Sequence, residues 1–242
     1  MLEHVGCDAY KVASGDITYA GLLQRVARTG KPIVMSTGMS THDDIASALD
    51  IVRAAGGGPV ALLHCVSAYP VPQDSQNLRA ISELAAMFDL PVGLSDHGTD
   101  PHAVILAVAL GASIYEKHFM LEGQTDAVDA AVSATPGELA SLIRRAEAAR
   151  LALGDGHKRC LPAEAANLGG SRRSLCAARE LKAGDVIEAG DVVALRPAGG
   201  VDPRNALKLV GQMLTRDVTT GSPFLDQDVD PHSVGEGPRR DA

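Results

Sequence analysis

The sequence predicts an α/β chain: a parallel sheet with covering helices, followed by a smaller and mostly β domain. Three observations carry this. Between residues 1 and 154, five short apolar runs alternate with segments of helical period. The runs are apolar throughout rather than alternating, as strands covered on both faces are. From about residue 172 onward, short strand-like runs separated by Gly-Asp and Thr-Thr-Gly turns replace the helical period.

The expected strands are Tyr10 to Ala13, Ile33 to Met35, Val60 to Leu63, Val92 to Leu94 and Ser113 to Tyr115. Between them, Tyr19, Leu22, Leu23, Val26 and Ala27 form one helical stripe. Ile45, Leu49, Val52 and Ala55 form the next, and Leu78, Ile81, Leu84, Ala85 and Phe88 a third. Ser40, three residues before Asp43, is a candidate N-cap. Thr135-Pro136-Gly137-Glu138 joins a cap, a proline at the first helical position and a capping glutamate. Gly30, Gly56 to Gly58 and Gly154 mark helix ends. Repeated βα units imply right-handed crossovers into either an open doubly wound sheet or a closed barrel. A barrel takes eight units, and the sequence supplies five. Residues 155–171 read as a linker, and residues 172–230 as the second domain. Its expected strands are Ser174 to Ala178, Gly184 to Ile187, Asp191 to Leu195 and Val210 to Val218. Residues 231–242 have almost no apolar side chains and are expected to be disordered.

At 242 residues and 45% hydrophobic, the chain buries a sizeable core. A net charge of −8 argues against a nucleic-acid partner, and with four Tyr, three Phe and no Trp there is little material for base stacking. No apolar run reaches membrane-spanning length and the N-terminus lacks the order of a secretion signal, so a cytoplasmic protein is expected. Cys7, Cys65, Cys160 and Cys176 lie at wide, irregular spacings that match no metal knuckle or disulfide framework, and they read as reduced structural thiols.

Each strand ends in a reactive side chain: Lys11 with Ser14, Ser36-Thr37, His64 with Ser67, Ser95-Asp96-His97, and Glu116-Lys117-His118. In a barrel, the C-terminal strand ends share one mouth. His97 and His118 then sit on adjacent strands, either as two ligands of a Mn, Zn or Fe ion or as hydrogen-bonded core histidines. Lys11 lies in an apolar strand and needs a charged partner. With Ser14, Ser36, Ser67 and Ser95 it reads as a cradle for a phosphate or carboxylate, against the alternative that these serines merely end strands. Asp16, Asp96 and Glu116 are acidic candidates at the rim, Asp96 best placed to support a neighbouring ligand. His64 reads as a packing residue, and His4, His42, His102, His157 and His232 carry no assigned role.

Five ordered motifs resemble the sialic acid synthase family of N-acetylneuraminate, legionaminate and pseudaminate synthases. They are Lys11-Val12-Ala13-Ser14-Gly15-Asp16, Ser36-Thr37-Gly38-Met39, Leu62-Leu63-His64-Cys65-Val66-Ser67-Ala68-Tyr69-Pro70, Gly93-Leu94-Ser95-Asp96-His97 and Glu116-Lys117-His118-Phe119. Arg173-Ser174-Leu175, Lys182-Ala183-Gly184-Asp185 and Leu195-Arg196-Pro197 are similar to that family's antifreeze-like (SAF) domain. The resemblance implies a partial TIM barrel, five of eight βα units, and a SAF domain. It implies a transferase that condenses phosphoenolpyruvate with an N-acetylated amino sugar such as N-acetylmannosamine. By the family pattern, Lys11, Ser14, Ser36 and Ser95 hold phosphoenolpyruvate, with Ser67 where relatives often carry asparagine. His97 and His118 bind Mn²⁺, with Mg²⁺ or Co²⁺ as alternatives, and Asp16 joins them as a catalytic residue. Tyr69, Asp16 and Asp129 contact the sugar, and Arg196 reaches across a homodimer. The chain departs from the pattern at Asp126-Ala127-Val128-Asp129, Gly98 and Asp16, which bears on sugar choice. The family's first three strands have no counterpart, so the chain resembles a C-terminal fragment, expected not to condense the substrates alone. The rival expectations are an inactive sugar-binding fragment and a Schiff-base barrel aldolase.

Overall fold

The computed structural model describes residues 2–124 and 126–230, so the expected disordered tail at 231–242 lies outside the described residues. Two compact units emerge, Met1–Gly156 and His157–Ala242. Among the described residues no helix is long and apolar enough to cross a membrane.

In the first unit, strands β1 (Tyr10–Val12), β2 (Ile33–Ser36), β3 (Val60–Cys65), β4 (Val92–Asp96) and β5 (Tyr115–Lys117) form one parallel sheet in that spatial order. Strands that follow sequence order make the curled arc of a partial barrel, whereas a doubly wound sheet reverses at a switch point. β3 and β4 run two residues beyond the expected ends, and β5 starts at Tyr115 rather than at Ser113. The ladder is made of backbone groups, so it continues through polar residues where an apolar run stops.

Helices α1 (Ala20–Ala27), α2 (His42–Ala54), α3 (Ala80–Phe88), α4 (His102–Ala109) and α5 (Pro136–Leu153) follow the five strands. The expected stripes face inward, with Leu23, Val26, Ile45, Leu49, Val52, Ile81 and Leu84 buried against Ile33, Met35, Leu62 and Val92. The cap of α2 is Thr41 rather than Ser40. The Thr41 N–H donates to Asp44 Oδ2 at 2.8 Å, and the Asp44 N–H donates to Thr41 Oγ1 at 3.2 Å. Thr135 and Glu138 cap α5 as expected. α4 is apolar along its length and shows no period to read.

In the second unit, α6 (Ala165–Ser171) lies where a linker was expected. β6 (Ser174–Ala177) pairs antiparallel with β7 (Val192–Leu195), and α7 (Ala206–Leu209) follows. The expected strands at 184–187 and 210–218 reduce to isolated bridges, Val186 with Met213 and Leu181 with Val218, because turns at Gly184, Gly211 and Gly221 cut the chain short. These bridges belong to an internal duplication with an offset of 37 residues. Arg179 Nε donates to Asp191 Oδ1 at 2.6 Å, and its counterpart Arg216 donates to Asp228 Oδ1 at 2.5 Å. Leu181 and Val218 exchange both backbone hydrogen bonds at 2.9 Å, on the axis between the copies. The Ala183 N–H reaches Asp217, and reciprocally the Thr220 N–H reaches Glu180. Phe224, Leu181, Ile187 and Val218 close the core.

Gly93 marks the tightest point of the main sheet. A Cβ there would lie 2.3 Å from the Ile114 carbonyl oxygen and 2.7 Å from Leu63 Cδ2. Gly93→Ala should therefore force β4 from β5 and destabilise the first unit by about 2 kcal/mol, as overpacking does. Urea unfolding checks this, and an unchanged midpoint would contradict it.

Candidate active site

The C-terminal ends of β1 to β5 surround a cavity of about 570 Å³ lined by Lys11, Ser14, Ser36, Cys65, Ser67, Tyr69, Ser95, His97, Glu116 and His118, among others. That size suits a small ligand. Ser14 sits in the turn Ser14–Asp16 after β1, and its Oγ accepts the Gly38 N–H at 3.0 Å. Ser36 ends β2, is 2% exposed, and its Oγ is the buried side-chain atom without a hydrogen-bond partner among the described residues. Such a hydroxyl is costly to bury unless something answers it.

Lys11 departs from the expectation of a buried ammonium. Its side chain is 36% exposed, and its Nζ lies 3.4 Å from Glu116 Oε1, which also accepts the Ser95 hydroxyl at 2.7 Å. The lysine thus already has a carboxylate partner on β5. Glu116, an acidic candidate at the rim by sequence, stands as register partner to Ser95.

The histidines form the other half of the site. The His97 ring presents Nδ1 to the Val66 carbonyl at 2.9 Å, with Cys65 Sγ at 3.8 Å, so Nδ1–H donates and Nε2 is left as a ligand atom. His118 Nδ1 lies 3.5 Å from Asp129 Oδ2. The ring centroids are 5.2 Å apart, and Tyr69 stacks on His97 at 4.1 Å and stands edge-on to His118 at 5.6 Å. One imidazole with its far nitrogen held by the Val66 carbonyl and a second with a carboxylate 3.5 Å from its Nδ1 fit a pair of ligands to one divalent ion. Among the described residues no third His, Cys, Asp or Glu joins them in a metal-binding group.

Burial disfavours a charged His97, yet the Cys65 and Val66 contacts and the nearby Asp96 outweigh it and raise the His97 pKa above the ordinary histidine value. Burial also acts against a Cys65 thiolate, but His97, Ser14 and Ser95 together lower its pKa. Burial, then the charges of Cys65, Asp129 and Glu116, raise that of Tyr69.

Not every candidate of the first unit lines the cavity. Asp16 is exposed in the turn after β1 and does not line it, and Asp129 approaches only through His118. Arg196 lies in the second unit, exposed before the cis Arg196–Pro197 bond. His64 is buried, with Nε2 2.8 Å from the Gln76 carbonyl, and does not line this cavity. Asp96 accepts from Tyr115, Lys117 and the Gly98 N–H rather than from either histidine ring. Cys65, read as structural, lines the cavity.

The NeuB family profile matches residues 1–158, and the SAF domain profile matches residues 172–230. N,N'-diacetyllegionaminic acid synthase of Campylobacter jejuni is 34% identical over 219 residues, 90% of this chain and 66% of that protein. Pseudaminic acid synthase of Helicobacter pylori is 32% identical over 230 residues, 95% of this chain and 68% of that one. The crystal structure of an N-acetylneuraminic acid synthetase from Leptospira borgpetersenii is similar with a TM-score of 0.64 at 36% identity, covering 69% of this chain and 58% of that one. The chain thus spans about two thirds of the length of the curated relatives it matches.

A Cβ on Gly38 would lie 2.4 Å from Ser67 Oγ, 2.8 Å from Ser14 Oγ and 3.2 Å from Cys65 Sγ. Gly38→Ala should therefore push the cradle hydroxyls apart, at about 1–3 kcal/mol of strain, and weaken inorganic phosphate binding roughly tenfold. Calorimetric titration checks this; wild-type affinity in the variant would place the anion elsewhere.

Proposed function

The chain belongs to the NeuB family and carries a SAF domain, and from that premise we propose that its chemistry is the condensation of phosphoenolpyruvate with an N-acetylated amino sugar such as N-acetylmannosamine, releasing phosphate. The observation that carries this reading is the buried, unanswered Ser36 hydroxyl beside Lys11, Ser14 and Ser95. Three hydroxyls and one ammonium suit the carboxylate and phosphate of phosphoenolpyruvate, since charge-assisted hydrogen bonds are the strong ones.

In the proposed reaction the methylene carbon of phosphoenolpyruvate bonds to the aldehyde carbon of the sugar, whose oxygen takes up a proton to become a hydroxyl; water adds at the neighbouring carbon and loses its protons, and the carbon–oxygen bond to phosphate breaks, leaving a keto group and inorganic phosphate. Lys11 balances the charge of the anion. Glu116, oriented by Ser95, is the carboxylate placed to take a proton from the water. His97 and His118 would hold a divalent ion, Mn²⁺ or failing that Mg²⁺ or Co²⁺, which when bound polarises the sugar aldehyde. Tyr69, stacked on His97, forms an aromatic wall against the sugar, and Ser67 adds a hydroxyl at the cradle's edge. Asp16 and Asp129 are proposed sugar contacts from the rim, and Arg196 a contact delivered to the barrel of the partner in a homodimer. The relatives named for legionaminic and pseudaminic acid support a second reading, the same reaction on a diacetylated sugar. Phosphate release with each sugar in turn, by the protein that carries this chain, discriminates the readings. Release with none of them would overturn both.

Lys11→Met should raise the phosphoenolpyruvate concentration needed for half-maximal binding by about tenfold or more, the worth of a charged hydrogen bond, with a much smaller effect on the sugar. Equal effects on both would misplace the cradle. The pH dependence follows from His97. A ligand imidazole must be neutral, and the raised His97 pKa means that the proton competes at a higher pH than for an ordinary histidine. Mn²⁺ affinity should be full above that pKa and fall by about tenfold per pH unit below it. Electron paramagnetic resonance of free Mn²⁺ between pH ~5.5 and ~8.5 reads this directly, and a flat profile would remove His97 from the ligand set.

A further inference from the structure

We infer that the buried ion pair of Asp96 and Lys117 is a positioning element that sets the spacing of the His97 and His118 rings, and through it the affinity of the site for a divalent cation. The inference rests on the reading of the two histidines as metal ligands.

Asp96 and Lys117 face each other in the β4–β5 register, each immediately before one of the histidines. Side chains alternate along a strand. Ser95 and Glu116 meet at 2.7 Å beside Lys11, whereas Tyr115 packs into the core between sheet and helices, and Lys117 shares its side of β5. There the side chains of Asp96 and Lys117 are 5% and 8% exposed, with Nζ 3.3 Å from Oδ2. The Tyr115 hydroxyl donates to the same Oδ2 at 2.6 Å. The contacts then extend past His97: the Gly98 N–H donates to Asp96 Oδ1 at 2.7 Å, and Lys117 donates to the Gly98 carbonyl. Both residues flanking His97 are thereby tied to the residue before His118.

A buried ion pair is a poor stabiliser, because desolvation offsets the attraction and an apolar pair of the same shape often serves as well or better. What it supplies is a fixed geometry: a one-residue slip or a splay of β5 would leave two charges unpaired in the interior. The pair therefore converts strand register into ring spacing. Outer contacts that orient metal ligands are typically worth about 10- to 100-fold in metal affinity.

The test uses the neutral double variant Asp96→Asn/Lys117→Met, which removes both charges together and so strands neither. Mn²⁺ binding is followed by electron paramagnetic resonance and inorganic phosphate binding by calorimetry, with circular dichroism as the check on folding. The expected result is a native spectrum, Mn²⁺ affinity down about tenfold or more, and a much smaller loss of phosphate affinity: Asp96 and Lys117 line the same cavity, but of the cradle groups only Ser95 stands on β4 or β5, while Lys11, Ser14 and Ser36 stand on other strands. Unchanged Mn²⁺ affinity overturns the inference. So does a parallel loss of Mn²⁺ and phosphate, which marks a role in stability alone. Should the double variant unfold, Tyr115→Phe carries the test by deleting one hydroxyl from Asp96: a several-fold loss of Mn²⁺ affinity is expected, and none overturns the inference. Wild-type chain that binds no Mn²⁺ is a different failure, which removes the ligand reading itself and the inference with it.

Discussion

Parallel pairing gives all five strands one polarity, so their C-terminal ends, and the side chains just beyond them, come to a single rim. The register then sets depth. Cys65 stands opposite Ser95, and Ser95 opposite Glu116, forming one row across β3, β4 and β5. The next step along β4 and β5 brings Asp96 to Lys117, and the step after that brings His97 beside His118. The Ser95–Glu116 end of the proposed anion cradle and the histidine pair are thus two rungs of one ladder, with Asp96–Lys117 between them. A displacement of the whole β4 backbone, unlike the loss of one side-chain pair, is felt along the ladder, which is why the close approach to Ile114 at Gly93 matters to residues several positions away.

Charge within the cavity is arranged to be exchanged. The Lys11–Glu116 pair is more than a third exposed on both sides, and a pair of that kind is worth about 0–1 kcal/mol. A ligand carrying both a carboxylate and a phosphate competes with it easily, and the three hydroxyls add bonds that Glu116 alone leaves unmade. The net charge of −8 is no obstacle, because charges beyond about 8–10 Å are screened and the local balance decides. By contrast the Asp96–Lys117 pair, at 5% and 8% exposure, is shielded from solvent and holds its geometry.

The strand ends were legible because each chemical residue follows an apolar run, and the serines, Lys11 and both histidines could be read that way. The family motifs then added Tyr69. What eluded the sequence was contact across strands. Nothing in the run Tyr115 to His118 says that Glu116 meets Lys11, or that Tyr115 and Lys117 converge on Asp96; those facts appear only once β5 is set beside β4 in register. Lys11 misled in the same way, since an apolar neighbourhood in sequence suggested deep burial while the strand end is open. In the second unit the short strands were over-read, because single bridges between turns leave the same apolar trace as a continuous ladder.

The duplication in the second unit has its own consequence. The two copies are joined by reciprocal bonds, Ala183 to Asp217 against Thr220 to Glu180, and by the exchange between Leu181 and Val218 on the axis. Neither copy can satisfy its own backbone or close its own core, since Leu181 and Ile187 of one pack with Val218 and Phe224 of the other. The unit is in effect a homodimer whose subunits were fused. Its connecting segment keeps the halves at high effective concentration and itself adds β7, Val201 and Leu209 to the fold they share.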